Sequence, residues 1–172
     1  DVYVRIIDYK TGKKDFNIVK TYYGIDIQLM VYMEAAMKLV AKMRPGKNVI
    51  PAGVFYYNIS DPIVSATTES AEEIEDKIKG ELRLKGMVNS DKDIAEKMDN
   101  TEGTSLNIPV SRKADGGFDS RRSKVMNTEQ FNMLGRFVDV RAIDTADRIV
   151  GGDIRRSPYK DGQFSSCDRC PY

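Results

Sequence analysis

Two residues near the N-terminus, Asp8 and Lys10, have the types and the spacing that could act together on a phosphodiester. They end the alternating segment "VYVRII", which predicts a strand ending near Asp8. Because side chains at i and i+2 leave one face of a strand, the carboxylate and the ammonium would lie side by side. The carboxylate could hold Mg²⁺ with the Tyr9 carbonyl, and the lysine could orient or deprotonate water. A surface salt bridge is the simpler interpretation of so short a motif.

Gln28 and Tyr32 are spaced i, i+4 on a helix predicted from Ile25 to Met43, so they share one helical face. Apolar residues cover most of the circumference of this helix, and we expect it to be largely buried. A buried glutamine must satisfy its amide, and a site at the end of the preceding strand would supply partners. Alternatively, Gln28 bonds a loop carbonyl and Tyr32 belongs to the core.

The composition restricts which chemistry is available. At 172 residues with 41% hydrophobic content, the chain is long enough for one globular domain with a core. Its net charge is +1, so any site for a polyanion must be local rather than a property of the whole surface. Histidine is absent, which removes the commonest general base and transition-metal ligand. Carboxylate, lysine, tyrosine and cysteine remain.

The order of predicted elements indicates an α/β fold. The β-branched and aromatic segment Asn48 to Ile59 predicts a central strand after the first strand and helix. Strand, helix and strand in this order favour a layer of helices on a sheet. Capping boxes predict two further helices, one through "AEEIEDKIKGELRLKGMV" and one from Thr128 to about Ile149. The boxes are Ser70 with Glu73 and Asn127 with Gln130.

Residues 100–125 predict a surface excursion, flexible or hairpin-like, because Gly and Ser are frequent there. A basic cluster lies within it and could contact nucleic acid, although a solvated loop explains it equally. Its members are Arg112, Lys113, Arg121, Arg122 and Lys124.

Cys167 and Cys170 are the only cysteines and form one CxxC motif. This spacing is typical of half a zinc or iron-sulfur site, or of a redox pair. A tetrahedral metal site would need further ligands, and this sequence has no other cysteine and no histidine. Two unconnected loop thiols are the remaining interpretation.

Several segments together resemble a known family. "IIDYKTGKKDF", "YYGIDIQLMVY" and "PAGVFYYNISDP" are similar to the B-subunit nuclease domain of AddAB (RexAB) helicase-nucleases, in the RecB-like branch of the PD-(D/E)xK nucleases. The likeness continues through "ELRLKGMV" and "EQFNML" to "CDRC", so it covers residues 1–172 as one domain. It implies an α/β, restriction-endonuclease-like core in which helices flank a mixed sheet.

The resemblance also implies an activity and roles for the site residues. It implies a Mg²⁺-dependent DNA exonuclease that degrades a strand of a duplex end unwound by the motor subunit, with DNA and the A subunit of a heterodimer as partners. Asp8 and the Tyr9 carbonyl would bind the metal. Lys10 would act on water and phosphate, while Gln28 and Tyr32 would orient the substrate or the site.

For the C-terminal part, the resemblance implies that residues 159–172 begin a segment that binds a [4Fe–4S] cluster. Cys167 and Cys170 would be two of its four ligands. The other two family cysteines, a metal-binding Asp in a "GxxD" strand and an upstream His are not in this sequence. We therefore expect a piece of a longer subunit, truncated at both ends, that by itself has little nuclease activity and no stable cluster.

Two further expectations concern location and role. No secretory pattern and no membrane-spanning stretch is evident in the sequence, so the expected compartment is the cytoplasm and no membrane partner is expected. The alternative to a nuclease is a catalytically inactive nuclease-like module that binds DNA or the partner subunit or has a structural role. A redox protein that uses the CxxC motif is a third, weaker alternative because no strand-to-helix context surrounds it.

Overall fold

The computed structural model describes residues 1–59, 62, 70–162 and 164–169. The first half contains β1 (Val2–Lys10), α1 (Ile18–Tyr22), α2 (Gln28–Met43), β2 (Val49–Asn58), α3 (Ala71–Leu82) and β3 (Lys85–Asn89). The second half contains α4 (Lys92–Met98), β4 (Val125–Met126), α5 (Thr128–Val150), β5 (Lys160–Asp161), β6 (Phe164–Ser165) and a 3-10 turn at Ser166–Arg169. No helix in these described ranges is long and apolar enough to cross a membrane.

A four-stranded sheet in the order β1-β2-β3-β4 forms the centre of the molecule. β1 and β2 are parallel, β2 and β3 antiparallel, and β3 and β4 parallel, so the sheet is mixed and β2 is an inner strand. This confirms the predicted mixed sheet and the central position of residues 48–59. The register pairs Asp8 with Tyr56 and Lys10 with Asn58, which places the ends of β1 and β2 side by side.

One face of the sheet is covered by α2 and α5. Val54 and Tyr56 of β2 point to this face and are fully buried against Met30 and Met33 of α2 and Phe131 of α5. The capping box of α5 is present, and the helix runs from Thr128 to Val150 as predicted. The packing of α2 on this face holds its first turn close to the end of β1.

The opposite face is covered partly by the segment expected to be a surface excursion. Phe55 of β2 packs there with Ala95 of α4 and with Ile108 and Val110, which are 2% and 0% exposed. Isolated antiparallel bridges join residues 104 to 111 and 112 to 118. The middle of this segment therefore packs into the molecule, since its apolar side chains complete the second core.

Asp99 anchors the same segment to the end of α4. Its carboxylate accepts hydrogen bonds from the Thr101 backbone N–H (2.7 Å), Ser105 Oγ (2.6 Å) and Asn107 Nδ2 (2.9 Å). Burial alone would raise the pKa of Asp99, but these donors stabilise the charged form and lower the pKa to about 2. The ionised carboxylate consequently stabilises the folded state.

Asp99→Asn should therefore destabilise the chain in a pH-dependent way. A depressed folded-state pKa stabilises above the ordinary value of 3.8 and ceases to do so as the pH falls through about 2. We expect a loss of about 2 kcal/mol at pH 7, with a smaller difference from wild type at pH 2.5, measured by urea unfolding. Asp144→Asn on the exposed side of α5 is the control; an equal loss at both pH values would contradict the assignment.

Two sequence expectations are wrong. The helix predicted through "LRLKGMV" ends at Leu82, and Lys85–Asn89 forms β3 instead. Gly86 explains the change: a Cβ there would lie 1.9 Å from the Val54 carbonyl oxygen, so this glycine allows close pairing with β2. Tertiary pairing thus overrides local helix propensity.

The second wrong expectation is the burial of α2. Only Leu29, Met30 and Met33 are buried among its residues. Leu39 and Met43 are 58% and 66% exposed. The helix packs on the sheet with its N-terminal half, and apolar side chains remain on the surface of its C-terminal half.

Candidate active site

The candidate site lies where β1 ends and α2 begins. The intervening chain is held by local hydrogen bonds that bring the two elements together. Asn17 caps α1, accepting from the N–H groups of Val19 and Lys20. At the other end of α1, Thr21 Oγ1 donates to the Asp26 carbonyl at 2.9 Å, just before Gln28 opens α2. The first turn of α2 is therefore fixed beside the last residues of β1.

All four predicted side chains meet in one chain of contacts. Lys10 Nζ lies 2.8 Å from Asp8 Oδ2 and donates to Gln28 Oε1 at 2.9 Å. Gln28 Nε2 donates to the Tyr32 hydroxyl at 2.8 Å. Gln28 thus bonds a site residue rather than a loop carbonyl, and Tyr32, 45% exposed, is not a core residue.

Asp8 has the properties of a cation ligand. Its side chain is 18% exposed, and Oδ2 is a buried atom that receives no hydrogen bond of normal geometry within the described residues, although Lys10 Nζ is close. No group of three or more His, Cys, Asp or Glu side chains that could hold a metal occurs in the described part of the chain. The donor set therefore fits a Mg²⁺ ion held by one carboxylate and several waters.

Three neighbouring residues were not found from the sequence. Tyr56 is fully buried, and its hydroxyl donates to Asp26 Oδ1 at 2.7 Å. Lys14 Nζ lies 3.2 Å from Asp26 Oδ2, and Asp26 is only 5% exposed. The ammonium groups of Lys10 and Lys14 lie 5.5 and 5.6 Å from the centroid of the Tyr56 ring. Tyr56 therefore links the predicted site to a second lysine and carboxylate.

The environment of Tyr56 keeps its hydroxyl protonated. Burial raises the pKa of Tyr56 far above its usual value, and the hydrogen bond to Asp26 and the nearby Asp8 carboxylate raise it further. The phenol is therefore a fixed donor. Its ring offers a face to both lysines, which favours the charged form of each amine.

Tyr9 projects away from these residues, as alternation along β1 requires. Its side chain is 64% exposed and meets the Tyr57 ring edge to face, with centroids 5.7 Å apart. Its metal-binding role, predicted for the backbone carbonyl, stays a prediction.

The remaining predicted residues do not gather at this site. Arg112 donates to the carbonyls of Asp99 and Thr101, which makes it part of the loop anchor. Lys124 pairs with Asp15 at 2.5 Å. Three others, Lys113, Arg121 and Arg122, are exposed.

The cysteine motif is described only in part. Cys167 is exposed in the 3-10 turn at Ser166–Arg169. Cys170 lies outside the described residues, and the predicted cluster ligation stays a prediction.

Comparison with known proteins gives one consistent result. Residues 1–172 match the family described as the PD-(D/E)XK nuclease superfamily. Proteins named as the B subunit of an ATP-dependent helicase/deoxyribonuclease are similar over 99% of this chain in Thermoanaerobacter sp. (strain X514), at 37% identity, and in Clostridium botulinum (strain Hall), at 40% identity. The protein of that name from Caldanaerobacter subterraneus is 40% identical over the whole chain. The chain spans about 15% of the length of these curated relatives.

Proposed function

The chain belongs to the PD-(D/E)XK nuclease superfamily, and on this premise we propose that it hydrolyses DNA phosphodiester bonds as the nuclease domain of a helicase/deoxyribonuclease B subunit. The observation that carries this proposal is the contact chain from Asp8 through Lys10 and Gln28 to Tyr32 at the end of β1. A catalytically inactive module would have no need to hold a lysine between a carboxylate and a glutamine. The contact chain therefore favours the enzyme over the inactive alternative.

Asp8 is the proposed Mg²⁺ ligand, together with the backbone carbonyl of Tyr9. When bound, the metal would polarise the phosphate and lower the pKa of a coordinated water. The buried oxygen of Asp8 supports this assignment because it has lone pairs that no described donor uses. Asp8 also holds Lys10 at the same edge of the strand.

Lys10 is the proposed group that orients the attacking water and offsets charge on the phosphate. Its ammonium has three donors, and Asp8 and Gln28 account for two of its contacts. The third is available to water or substrate. Gln28 and Tyr32 are positioning residues: the hydroxyl of Tyr32 accepts from the Gln28 amide nitrogen, so the amide oxygen faces Lys10.

One carboxylate should bind Mg²⁺ weakly, since the ion is usually held by more than one ligand besides water. We therefore propose that the longer subunit supplies a second carboxylate and that these 172 residues alone cleave DNA poorly. Cys167 and Cys170 are proposed as two of four ligands of a [4Fe–4S] cluster completed by the rest of that subunit.

The proposed setting is a cytoplasmic heterodimer with the helicase/nuclease A subunit that processes double-strand DNA ends for recombinational repair. The names of the relatives support this setting. It is tested with the complete heterodimer on end-labelled linear duplex, with ATP and with Mg²⁺ or excess EDTA after loading. Release of labelled nucleotides in Mg²⁺ supports the proposal, and an intact labelled strand after unwinding would refute it.

Gln28→Ala should slow cleavage without abolishing it. Lys10 would lose its acceptor and become less fixed, and loss of such a supporting contact typically costs about 10- to 100-fold. Tyr32→Phe should have a smaller effect because Gln28 keeps its contact with Lys10. Single-turnover rates on single-stranded DNA measure both; a larger loss for Tyr32→Phe than for Gln28→Ala would contradict the proposed order of contacts.

A further inference from the structure

A cavity of about 410 Å³ lies beyond the ends of β1 and β2. Its walls come from the connection after β1, the last residue of β2, the connection between α3 and β3, and the chain leading into β4. Six basic side chains line it: Lys13, Lys14, Arg83, Lys85, Arg122 and Lys124.

The positive charge of this cavity is only partly neutralised. Two carboxylates line it, and one of them, Asp15, pairs with Lys124. Across the part of the chain that the structure describes, Lys13, Lys85 and Arg122 make no ion pair. Because the whole chain carries a net charge of only +1, this is a local concentration of cations. Such a concave site raises the local potential and attracts anions.

Arg83 is built into the cavity wall. Its Nε donates to the Ile108 carbonyl at 2.8 Å and its Nη2 to the Val110 carbonyl at 3.2 Å. These carbonyls fix the guanidinium without cancelling its charge. The anchoring residues belong to the segment that completes the second core, so the cation is held by the fold rather than by a mobile side chain.

The cavity adjoins the candidate active site through two of its residues. Asn58 is the partner of Lys10 in the β1–β2 register. Lys14 contacts the same Tyr56 ring as Lys10 and is held from behind by Asp26. A polyanion at Lys10 can therefore continue directly into the basic cavity.

We propose that this cavity binds phosphates of the DNA strand next to the phosphodiester that is cleaved. The inference rests on the proposed nuclease function and assigns a substrate-binding role to Lys13, Lys14 and Lys85. Lysine binds phosphate as a point charge and arginine through paired N–H groups, so contacts of this kind hold the backbone without reading sequence. Asp26 is a positioning residue that acts through Lys14.

The test is binding of a fluorescein-labelled single-stranded oligonucleotide to the chain, followed by anisotropy in EDTA over a series of NaCl concentrations. The triple variant Lys13→Gln, Lys85→Gln and Arg122→Gln should bind more weakly. Its slope of log K against log salt should be shallower by about two, because each phosphate contact with a single strand contributes about 0.7. Without Mg²⁺ no cleavage occurs, so this readout is independent of nuclease activity.

A matched triple removes equal charge from the opposite end of the sheet: Lys42→Gln, Arg44→Gln and Lys47→Gln. These residues are exposed, and they lie near Asn48, which bonds the start of β1. Their loss should leave the slope nearly unchanged, and urea midpoints check that both triples fold. Equal slopes for the two triples, or no DNA binding by the wild type, would overturn the proposal. Displacement of DNA by inorganic phosphate well beyond that by NaCl of equal ionic strength would also overturn it, because the cavity would then be a single-anion site.

Discussion

Asp8→Asn in the complete subunit should lower the rate of DNA cleavage by more than about a hundredfold. Asparagine keeps the shape of the side chain but removes the negative charge that would hold Mg²⁺, and it releases Lys10 from its ion pair. The rate is measured as nucleotide release from linear duplex by the assembled helicase-nuclease with ATP and Mg²⁺.

Asp144→Asn is the matched control because Asp144 is exposed on α5, away from the candidate site. It should cleave like the wild type. Both variants should hydrolyse ATP and unwind DNA normally, which shows that the subunit is intact. Cleavage by the Asp8 variant within threefold of wild type would remove Asp8 from the metal site.

Gly86→Ala should be the most damaging single methyl addition in the sheet. Its Cβ would lie 1.9 Å from the Val54 carbonyl oxygen and 2.8 Å from Phe55 Cα, both backbone atoms that cannot rotate away. β2 and β3 would have to separate at a fully buried position. We expect a loss of at least about 1–3 kcal/mol in the free energy of unfolding, measured by urea denaturation monitored by circular dichroism.

Gly80→Ala is the control with the opposite sign. Gly80 lies inside α3, and a Cβ there would meet no atom within 4 Å. Alanine has the higher helix propensity, so this variant should be about 1 kcal/mol more stable than wild type. If both alanine variants were stabilising, the close pairing of β2 and β3 at Gly86 would be wrong.

Features fixed by local chemistry were predictable from the sequence. The capping boxes at Ser70 and Asn127 and the inner strand β2 are present because cap hydrogen bonds and alternation act over a few residues. β3 was missed because "LRLKGMV" favours a helix locally and becomes a strand only through pairing with β2. The exposed end of α2 was missed for a related reason: periodicity indicates which residues are apolar, not how far a neighbour extends to cover them.

The site was predictable only as far as its motifs reach. Spacing placed Asp8 beside Lys10 and Gln28 beside Tyr32, and their joining follows from the packing of α2 against β1. The role of Tyr56 could not be inferred, because its partner Asp26 is 30 residues away in the chain and an isolated tyrosine in an apolar strand signals only core. The basic cavity is equally non-local, since its cations come from separate connections.

The central claim is that Asp8 and Lys10 form the nuclease site while unwinding depends on other parts of the enzyme. The most direct measurement follows strand separation and strand cleavage on the same labelled duplex, by quenched flow, for the heterodimer with wild-type chain, Asp8→Asn or Lys10→Met. We predict normal unwinding by all three, Mg²⁺-dependent cleavage by the wild type, and intact unwound strands with both variants. Cleavage of the same strand by either variant at the wild-type rate would contradict the claim.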